Sequence, residues 1–405
     1  MVPKGWEISQ LKDLIEGSIK NGFSPNPADS DTGYWVLGLG ALGEDGIVAS
    51  EIKPVEPQDK VLNNILAKDD FLVSRSNTPD KVGRSVRFRG EIKNCSYPDL
   101  MMRFRLDQRK ANKFFIEQQL KSSNIRTYFK NCAAGSSSTM VKINKGILEK
   151  TPIPTPPLQE QQKIATILST WDKAITTTEK LLENSQQQKK ALMQQLLTGK
   201  KRLLDKNGVR FSGKWKEIRL KSVLREVKTR NKDNSIERVL SVTNHSGFVL
   251  PEDQFSKRVA SDDVSNYKVV KNGEYGYNPS RLNVGSFARL DSYEQGLLSP
   301  MYVVFCVNEK LLNSNYFMNW MSSNEAKQRI SGSTQGSVRD SVGFDSLCGF
   351  PFKLPPMEEQ HKIAAVLCTA DQEISALQQN VNALKQEKKA LMQQLLTGKR
   401  RVLVS

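Results

Sequence analysis

A segment of twelve residues occurs twice in this chain, and it constrains the possible folds more than any other feature of the sequence. Residues 189–200 read KKALMQQLLTGK, and residues 388–399 read the same twelve letters. The two copies lie 199 residues apart, and the match extends upstream without gaps. Self-similarity at a fixed spacing is typical of a repeated structural unit. We therefore expect two related halves, each ending in the same element.

Each copy predicts one long helix. Pro157 and Pro356 open the two copies, and proline suits the first helical turn because no N–H donor is needed there. Gly199 and Gly398 follow the last apolar positions, where glycine commonly ends a helix in the left-handed conformation. Alternating steps of four and three residues predict a heptad seam, which comprises Ile164, Leu168, Ile175, Leu182, Leu192 and Leu196 in the first copy, and Ile363, Leu367, Ile374, Val381, Leu391 and Leu395 in the second.

The seam has two interpretations. The two helices pair with each other, or each packs separately on its own domain. The run of polar residues at 186–190 and the equal length of the two seams favour pairing of the helices with each other. At 1.5 Å per residue, about 40 residues form a rod of roughly 60 Å.

The regions before the helices have the size of ordinary domains. We predict a first globular domain at 1–156, a first coiled-coil helix at 157–200, a second globular domain at 201–355, and a second coiled-coil helix with the C-terminal tail at 356–405. Antiparallel pairing of the helices would give the chain an internal pseudo-two-fold symmetry, with the domains at opposite ends of the rod.

The two predicted domains share landmarks but little identity. Trp6 precedes Leu11 by five residues, as Trp215 precedes Leu220, and residues 70–77 align with residues 274–281. A Val-Gly pair, a Ser-Ser-Asn triplet and a Gly/Ser-rich loop follow in both. Short β-rich runs predict strands at 34–37, 71–74, 100–106, 239–243, 285–290 and 302–307, and helical patterns span 111–130 and 314–330. The predicted fold class is α+β.

Net charge points to a polyanionic partner. The 405 residues include 60 Lys and Arg against 43 Asp and Glu, a formal charge of +17. Such a surplus favours nucleic acid, and charge alone leaves a basic protein with no nucleic-acid role as the alternative. An Arg side chain can form two hydrogen bonds with a guanine edge, and an Asn side chain can form two with an adenine edge. Loops rich in Gly and Ser can approach phosphates closely. The candidate DNA contacts are Arg75, Asn77, Arg84, Arg87, Arg89, Ser137 and Thr139 in the first domain, and Arg281, Asn283, Arg289, Gln335, Ser337 and Arg339 in the second.

Catalytic motifs are weak in this sequence. Residues 38–43 spell G-x-G-x-x-G, but no amphipathic helix follows, which favours a turn between strands over a nucleotide site. The five cysteines form no C-x-x-C pair, and the chain has two histidines. We expect no catalytic residue, no metal site and no bound cofactor. The absence of an apolar run of about 18 residues and of a signal peptide predicts a cytoplasmic protein.

The residues that open each helix resemble a known family. PLQEQQKIA at 157–165 and PMEEQHKIA at 356–364, each leading into KKALMQQLLTGK, are similar to the conserved regions of type I restriction–modification specificity subunits. The resemblance covers the whole chain, because that family alternates target-recognition domains with conserved helices. It implies a non-catalytic subunit that reads double-stranded DNA as a bipartite, asymmetric target.

The resemblance also implies partners. Two methyltransferase subunits would dock on the paired helices, and restriction–translocase subunits would join them. Adenine methylation with S-adenosylmethionine, and any chemistry needing ATP and Mg, would belong to those partners. Two other classes remain open from the residues alone. A coiled-coil scaffold would show no sequence preference and little salt dependence, and a self-contained nuclease or methyltransferase would act without partners.

Overall fold

The computed structural model describes residues 2–44, 46–137, 140–254, 263–334 and 341–403. The chain divides into two compact units. Unit 1 comprises Met1–Glu179 with Gln379–Ser405, and unit 2 comprises Lys180–Gln378. Each unit therefore contains parts of both long helices, because the boundaries fall within them.

Unit 1 is a mixture of short strands and short helices. Its strands are β1 (Glu7–Gln10), β2 (Ile15–Asn21), β3 (Trp35–Leu37), β4 (Ile52–Pro54), β5 (Phe71–Ser74), β6 (Ser76–Asn77), β7 (Ser85–Arg87), β8 (Cys95–Ser96), β9 (Met101–Leu106), β10 (Ala134–Ser137), β11 (Met140–Lys142) and β12 (Pro152–Thr155). Its helices are α1 (Leu11–Leu14), α2 (Asp59–Leu62), α3 (Lys113–Lys121), α4 (Ser123–Cys132) and α5 (Lys145–Glu149), and the long helix α6 (Leu158–Leu196) begins there.

Unit 2 has a similar mixture. Its strands are β13 (Lys216–Arg219), β14 (Leu224–Glu226), β15 (Ser241–Thr243), β16 (Gly247–Val249), β17 (Lys268–Lys271), β18 (Tyr275–Tyr277), β19 (Phe287–Arg289), β20 (Gln295–Leu298), β21 (Val303–Val307) and β22 (Pro351–Leu354). Its helices are α7 (Pro251–Gln254), α8 (Ser314–Met321), α9 (Asn324–Thr334) and α10 (Phe344–Cys348), and the second long helix α11 (Met357–Leu395) begins there.

The same four-stranded antiparallel sheet forms the centre of both units. Its order is β2-β9-β5-β7 in unit 1 and β14-β21-β18-β19 in unit 2. Phe71 and Tyr275 hold equivalent places, since Phe71 pairs with Arg87 and Tyr275 with Arg289 across the neighbouring strand. This register confirms the predicted alignment of residues 70–77 with residues 274–281. The α+β fold class is likewise confirmed.

The predicted helices at 111–130 and 314–330 are each two helices, which corrects the sequence-based interpretation. The break falls at the Ser-Ser-Asn triplet in both units. Ser122 has an extended backbone, and its side chain accepts a hydrogen bond from the Ile125 amide. The Ser323 side chain accepts one from the Ala326 amide. Serine therefore ends one helix and caps the next, a local competition that apolar periodicity does not reveal.

Each sheet separates two apolar clusters. On one face of β5, Phe71 and Val73 join the cluster that contains the short helices and the start of α6. Leu72, between them, joins a second cluster with β3 and β8. In unit 2 the middle position is Gly276, where a Cβ atom would lie 2.8 Å from Leu298 and from Phe248. The second cluster of unit 2 therefore presses directly on the sheet backbone, as no larger residue would permit.

Both long helices have 39 residues and end in the same way. Gly199 and Gly398 have φ of 71° and 74°, in the left-handed region. The amides of Lys201 and Arg400 donate to the carbonyl oxygens of Gln195 and Gln394 at 3.0 and 3.1 Å. The glycine termini predicted from the sequence are thus confirmed. All twelve predicted seam residues are buried or half-buried.

Cross-helix ion pairs within each unit run antiparallel. In unit 1, Asp172 of α6 contacts Lys388 of α11 at 2.5 Å, and Glu179 contacts Lys385 at 2.7 Å. In unit 2, Lys189 contacts Asp371 at 2.5 Å, and the Ser185 hydroxyl donates to Glu373 at 3.0 Å. Exposed pairs of this kind stabilise by less than about 1 kcal/mol each, so their main effect is to define which residues face each other.

A buried carboxylate joins three chain segments in unit 1. Glu160, in the first turn of α6, is 2% exposed and accepts hydrogen bonds from the Trp6 indole at 3.1 Å and from two Arg401 nitrogens at 2.8 and 2.9 Å. We call Trp6, Glu160 and Arg401 the first clamp. Burial raises the pKa of Glu160, but these hydrogen bonds outweigh burial and hold it below its ordinary value. The first clamp fixes the chain's beginning and end to the start of α6.

Unit 2 contains the equivalent arrangement, which we call the second clamp. Glu359, fully buried, accepts hydrogen bonds from the Trp215 indole at 2.9 Å and from two Arg202 nitrogens at 2.6 and 2.7 Å. The guanidinium of Arg202 also lies over the Trp215 ring, as that of Arg401 does over Trp6. The sequence had indicated the tryptophans only as landmarks.

Removing one clamp arginine should destabilise only its own unit. Arg401→Ala leaves the Glu160 carboxylate, which is 2% exposed, without its cation, and an unpaired charge in such a position destabilises the folded unit. We expect faster hydrogen–deuterium exchange in α1 and α3, measured by mass spectrometry, with the α8 region unchanged. Arg202→Ala should give the reverse pattern, which makes the two variants controls for each other. Equal loosening of both units by either variant would contradict this assignment.

Acid should weaken unit 1 through its paired carboxylates. Burial raises the pKa values of Glu117 and Glu160, but their cationic partners lower both below the ordinary value near 4.5. A group whose pKa is lower in the folded state stabilises above its unfolded pKa and loses that contribution as pH falls through its folded value. Urea unfolding monitored in unit 1 should therefore show constant stability from pH 7 to about 5.5, and a decline below about 4.5. Constant stability down to pH 3 would refute the expectation.

Candidate DNA interface

The loop that follows β5 in unit 1, and the equivalent loop that follows β18 in unit 2, carry candidate DNA contacts. In unit 2, the Asn278 side chain accepts from the Ser280 amide at 3.0 Å and starts a short 3-10 turn, Pro279–Val284, which ends at Gly285 with φ of 93°. Arg281 and Asn283 lie on this turn with exposed side chains. The local sequence thus places one guanidinium and one amide at the surface.

A hairpin tip that sequence reasoning missed lies beside this turn. Strands β15 and β16 are joined by residues 244–246, Asn-His-Ser, all exposed, and Gly247 has φ of 64°. A Cβ atom at Gly285 would lie 3.4 Å from the Asn244 Cβ, so the tip and the turn are adjacent. The Asn-His-Ser-Gly segment between two apolar runs is a hairpin pattern that could have been recognised. Arg281, Asn283 and the tip form one polar patch.

In unit 1, Arg84 of the equivalent loop lies close to Arg126 of α4. Arg84 donates to the Leu42 carbonyl at 3.3 Å, and Arg126 donates to the carbonyls of Val82 and Asp80 at 2.7 and 2.9 Å. Both arginines line a cavity of about 340 Å³, together with Lys121. Burial and the neighbouring Arg84 charge lower the pKa of Arg126. Glu44 and Asp80 line the same cavity, so its three cationic side chains are partly neutralised. Arg126 was not predicted from the sequence.

The remaining arginine candidates hold strands to helices. Arg87 is 4% exposed and donates to Glu117 at 2.8 Å and to Asp69 at 2.6 Å. Its register equivalent, Arg289, bonds Asp291 at 2.6 Å and also the Ser314 and Asn315 side chains of α8. Because breaking such networks is costly, these ion pairs do not favour base contact by Arg87 or Arg289, whose assignment as DNA contacts stays a prediction.

Arg89 and Asn77 have structural partners too. Arg89 is 47% exposed and donates to Glu117 at 2.9 Å, so only part of its guanidinium faces solvent. Asn77 is 8% exposed; its side-chain amide donates to the Ser74 hydroxyl and its side-chain oxygen accepts from the Thr78 amide, a geometry that does not favour base contact. Arg75 is half-buried, and its guanidinium lies 3.5 Å from the Asp99 carbonyl oxygen.

The Gly/Ser-rich loops give less information. Ser137 belongs to β10, but its side chain is not described, and Thr139, Gln335, Ser337 and Arg339 lie outside the described residues. Between Gly38 and Gly43, a 3-10 turn connects the antiparallel strands β3 and β4. This agrees with the predicted turn and not with a nucleotide-binding βαβ unit.

Two further observations concern the described part of the chain as a whole. Within it, no three His, Cys, Asp or Glu side chains are grouped so that they could hold a metal ion. Among its helices, including the two of 39 residues, none combines the length and apolar character needed to cross a bilayer.

Comparisons with known proteins agree with this architecture. The family model of the type I restriction modification DNA specificity domain matches residues 3–185 and 281–386. A protein assigned as the MjaX specificity subunit of a type I restriction enzyme of Methanocaldococcus jannaschii is 25% identical over 99% of this chain and 95% of its own length. The MjaVIII specificity subunit of the same organism is 25% identical, over 99% and 94%.

Solved structures share the fold at low identity. A chain from work on complex assembly and conformational transition of the type I R-M system has a TM-score of 0.57 at 16% identity, covering 99% of this chain and 100% of that one. A type I S subunit from M. genitalium gives 0.56 at 13%, covering 98% and 96%. The HsdS subunit of Thermoanaerobacter tengcongensis gives 0.50 at 16%, covering 98% of each. The chain belongs to the family of type I restriction–modification DNA specificity subunits, which select the DNA sequence and are not catalytic.

Proposed function

We propose that this subunit reads a bipartite, asymmetric DNA target, one half with each unit. The observation that carries the proposal is the contrast between a shared scaffold and different surfaces. Both units have the same sheet order, the same clamp and the same helix start. Their surfaces differ, because unit 2 exposes Arg281 and Asn283 on a turn, whereas Arg84 and Arg126 of unit 1 line a cavity. One scaffold with two different reading surfaces suits two unequal half-sites.

The proposed arrangement follows the predicted division of the chain. Target-recognition domains at 1–156 and 201–355 would be separated by the helices at 157–200 and 356–405, paired as one antiparallel coiled coil with a pseudo-two-fold axis. The antiparallel ion pairs in each unit support this pairing. Readers related in this way fit half-sites about 34–36 Å apart, or a multiple of that distance. Helix length would then determine the unread spacer.

The proposed partners follow from the family. Double-stranded DNA is one, and methyltransferase and restriction subunits are the others, with two methyltransferase copies per specificity subunit. S-adenosylmethionine, ATP and Mg would be bound by those subunits, and this chain would bind no cofactor. The assembly would work in the cytoplasm, where the DNA is.

The alternative is a scaffold that binds no DNA sequence. The net charge of +17 argues against it. A DNA reader loses affinity steeply with salt, because each phosphate contact releases counterions. The scaffold predicts neither that slope nor any sequence preference.

Changing the unit 2 patch should alter one half-site only. Arg281→Ala with Asn283→Ala removes two side chains suited to base edges, at about 1–3 kcal/mol per lost base contact. In a host carrying the complete system, base-resolved methylation mapping should show relaxed recognition in one half of a split motif. Arg84→Ala should affect only the other half, and Lys271→Ala, at an exposed site elsewhere, should change neither. If every methylated motif persists after the gene is deleted, the proposal is contradicted.

Lengthening both helices should lengthen the spacer. A seven-residue insertion between Thr176 and Gln188, with a matching one between residues 375 and 387, preserves the heptad seam. It adds about 10.5 Å of helix, equivalent to roughly three base pairs of duplex rise. Methylation mapping should then report the same half-sites with a longer spacer. An insertion in one helix alone should abolish activity, and altered half-sites with an unchanged spacer would refute the ruler.

A further inference from the structure

The Val-Gly pair that both units share has different surroundings in each. In unit 1, Val82 is fully buried in the cluster that contains the short helices, and the Phe129 ring lies against Gly83. In unit 2, Val284 is 59% exposed. The residue that anchors the turn of unit 2 in its apolar cluster is Leu282, which is 3% exposed. Packing therefore explains the valine of unit 1 but not the valine of unit 2.

The turn that carries Val284 is fixed at both ends. The Asn278 side chain begins it by accepting a hydrogen bond from the Ser280 amide at 3.0 Å. Just after the turn, the buried Ser286 hydroxyl donates to the Val242 carbonyl at 2.9 Å. Exposed side chains on this turn therefore project from a preorganised backbone, which lowers the entropic cost of binding a ligand.

The 3-10 geometry of residues Pro279–Val284 places Arg281 and Val284 on one face of the turn. A 3-10 helix has three residues per turn, so side chains three positions apart are eclipsed, with a rise of about 6 Å between them. Among the residues that the structure describes, the Arg281 guanidinium has no hydrogen-bond or ion-pair partner, in contrast to Arg289. One face of the turn thus presents a free cation and an exposed apolar group.

This pair of side chains matches two features of the DNA major groove. A guanidinium can form two hydrogen bonds with the O6 and N7 atoms of guanine, and an apolar side chain can contact the 5-methyl group of thymine. The rise of about 6 Å between Arg281 and Val284 corresponds to roughly two base-pair steps of 3.4 Å each. The same face can therefore meet a guanine and a thymine that lie close together along one groove.

We propose that Val284 is a specificity-determining residue of unit 2, which recognises the 5-methyl group of a thymine within about two base-pair steps of a guanine bound by Arg281. This inference rests on the proposed function, because it requires unit 2 to read DNA. The valine of unit 1 has no such role, since Val82 is fully buried. Methyl recognition by this valine therefore belongs to one half-site only.

Replacing single thymines by deoxyuridine tests the contact, because deoxyuridine lacks only the 5-methyl group. The full-length chain, assembled with the host methyltransferase subunits, is titrated against duplexes that contain the mapped target with one thymine replaced at a time. In the half-site that unit 2 reads, one replacement should weaken wild-type binding about fourfold, as expected for one buried methyl group. Val284→Ala should bind the unmodified duplex about fourfold less tightly and lose nothing further on that replacement. Val284→Ile should keep the wild-type response.

Replacing single guanines by 7-deazaguanine, which lacks the N7 acceptor, locates the guanine. At the guanine bound by Arg281, this replacement should weaken binding of the wild type but not of Arg281→Ala. The two sensitive positions should lie within about two base-pair steps of each other. A separation of more than about three steps would overturn the proposed arrangement on one face of the turn.

A matched control and three outcomes complete the test. Val209→Ala makes the same change at a valine that is 62% exposed in the segment before β13, and it should keep the full response to deoxyuridine. If deoxyuridine weakens Val284→Ala as much as the wild type, another group senses the methyl and the proposal is overturned. If 7-deazaguanine has an effect in this half-site but deoxyuridine has none, unit 2 reads DNA without Val284, and only this inference fails. If the assembly binds DNA with no sequence preference, the proposed function itself fails.

Discussion

The buried carboxylates of Glu160 and Glu359 organise the whole chain. Placing a charge in a protein interior is costly unless cations and hydrogen-bond donors satisfy it, and here one tryptophan and one arginine do so in each unit. The arginine comes from the segment after the opposite long helix, so the first unit is complete only with Arg401, near the chain's end. Unit 1 therefore depends on a residue nearly 400 positions away from Trp6 in the sequence.

The central sheets separate what the two units share from what differs. On one face lie the short helices, the clamp and the ends of the long helices, with equivalent residues in both units. On the other face the elements differ. Unit 1 has a parallel β3–β8 contact, whereas unit 2 has the β15–β16 hairpin and the β17–β20 pair. Divergence on the second face leaves the first face intact, which allows the reading surface to change without disturbing the helix attachments.

The sequence predicted the features that depend on apolar periodicity and on local residue chemistry. Glycine termini, long helices, six strands and the alignment of residues 70–77 with 274–281 all follow from such patterns. It could not predict the roles of Arg87 and Arg289, because an arginine beside a candidate reading loop looks the same whether it faces DNA or Glu117. Nor could it predict Arg126, which reaches Arg84 only through the packing of α4. Tertiary partners decide between a structural cation and a free one.

The duplicated helix carries two kinds of constraint, and burial distinguishes them. Leu168, Leu196, Leu367 and Leu395 are fully or almost fully buried and belong to the globular clusters at the helix ends. Between those ends, Leu182 is half-buried, whereas Ile175 and Val381 are buried. Apolar burial thus anchors each helix at its two ends, and the ion pairs of Asp172 and Asp371 set the register between them. The exposed lysines and glutamines of the repeated segment add nothing to that anchoring.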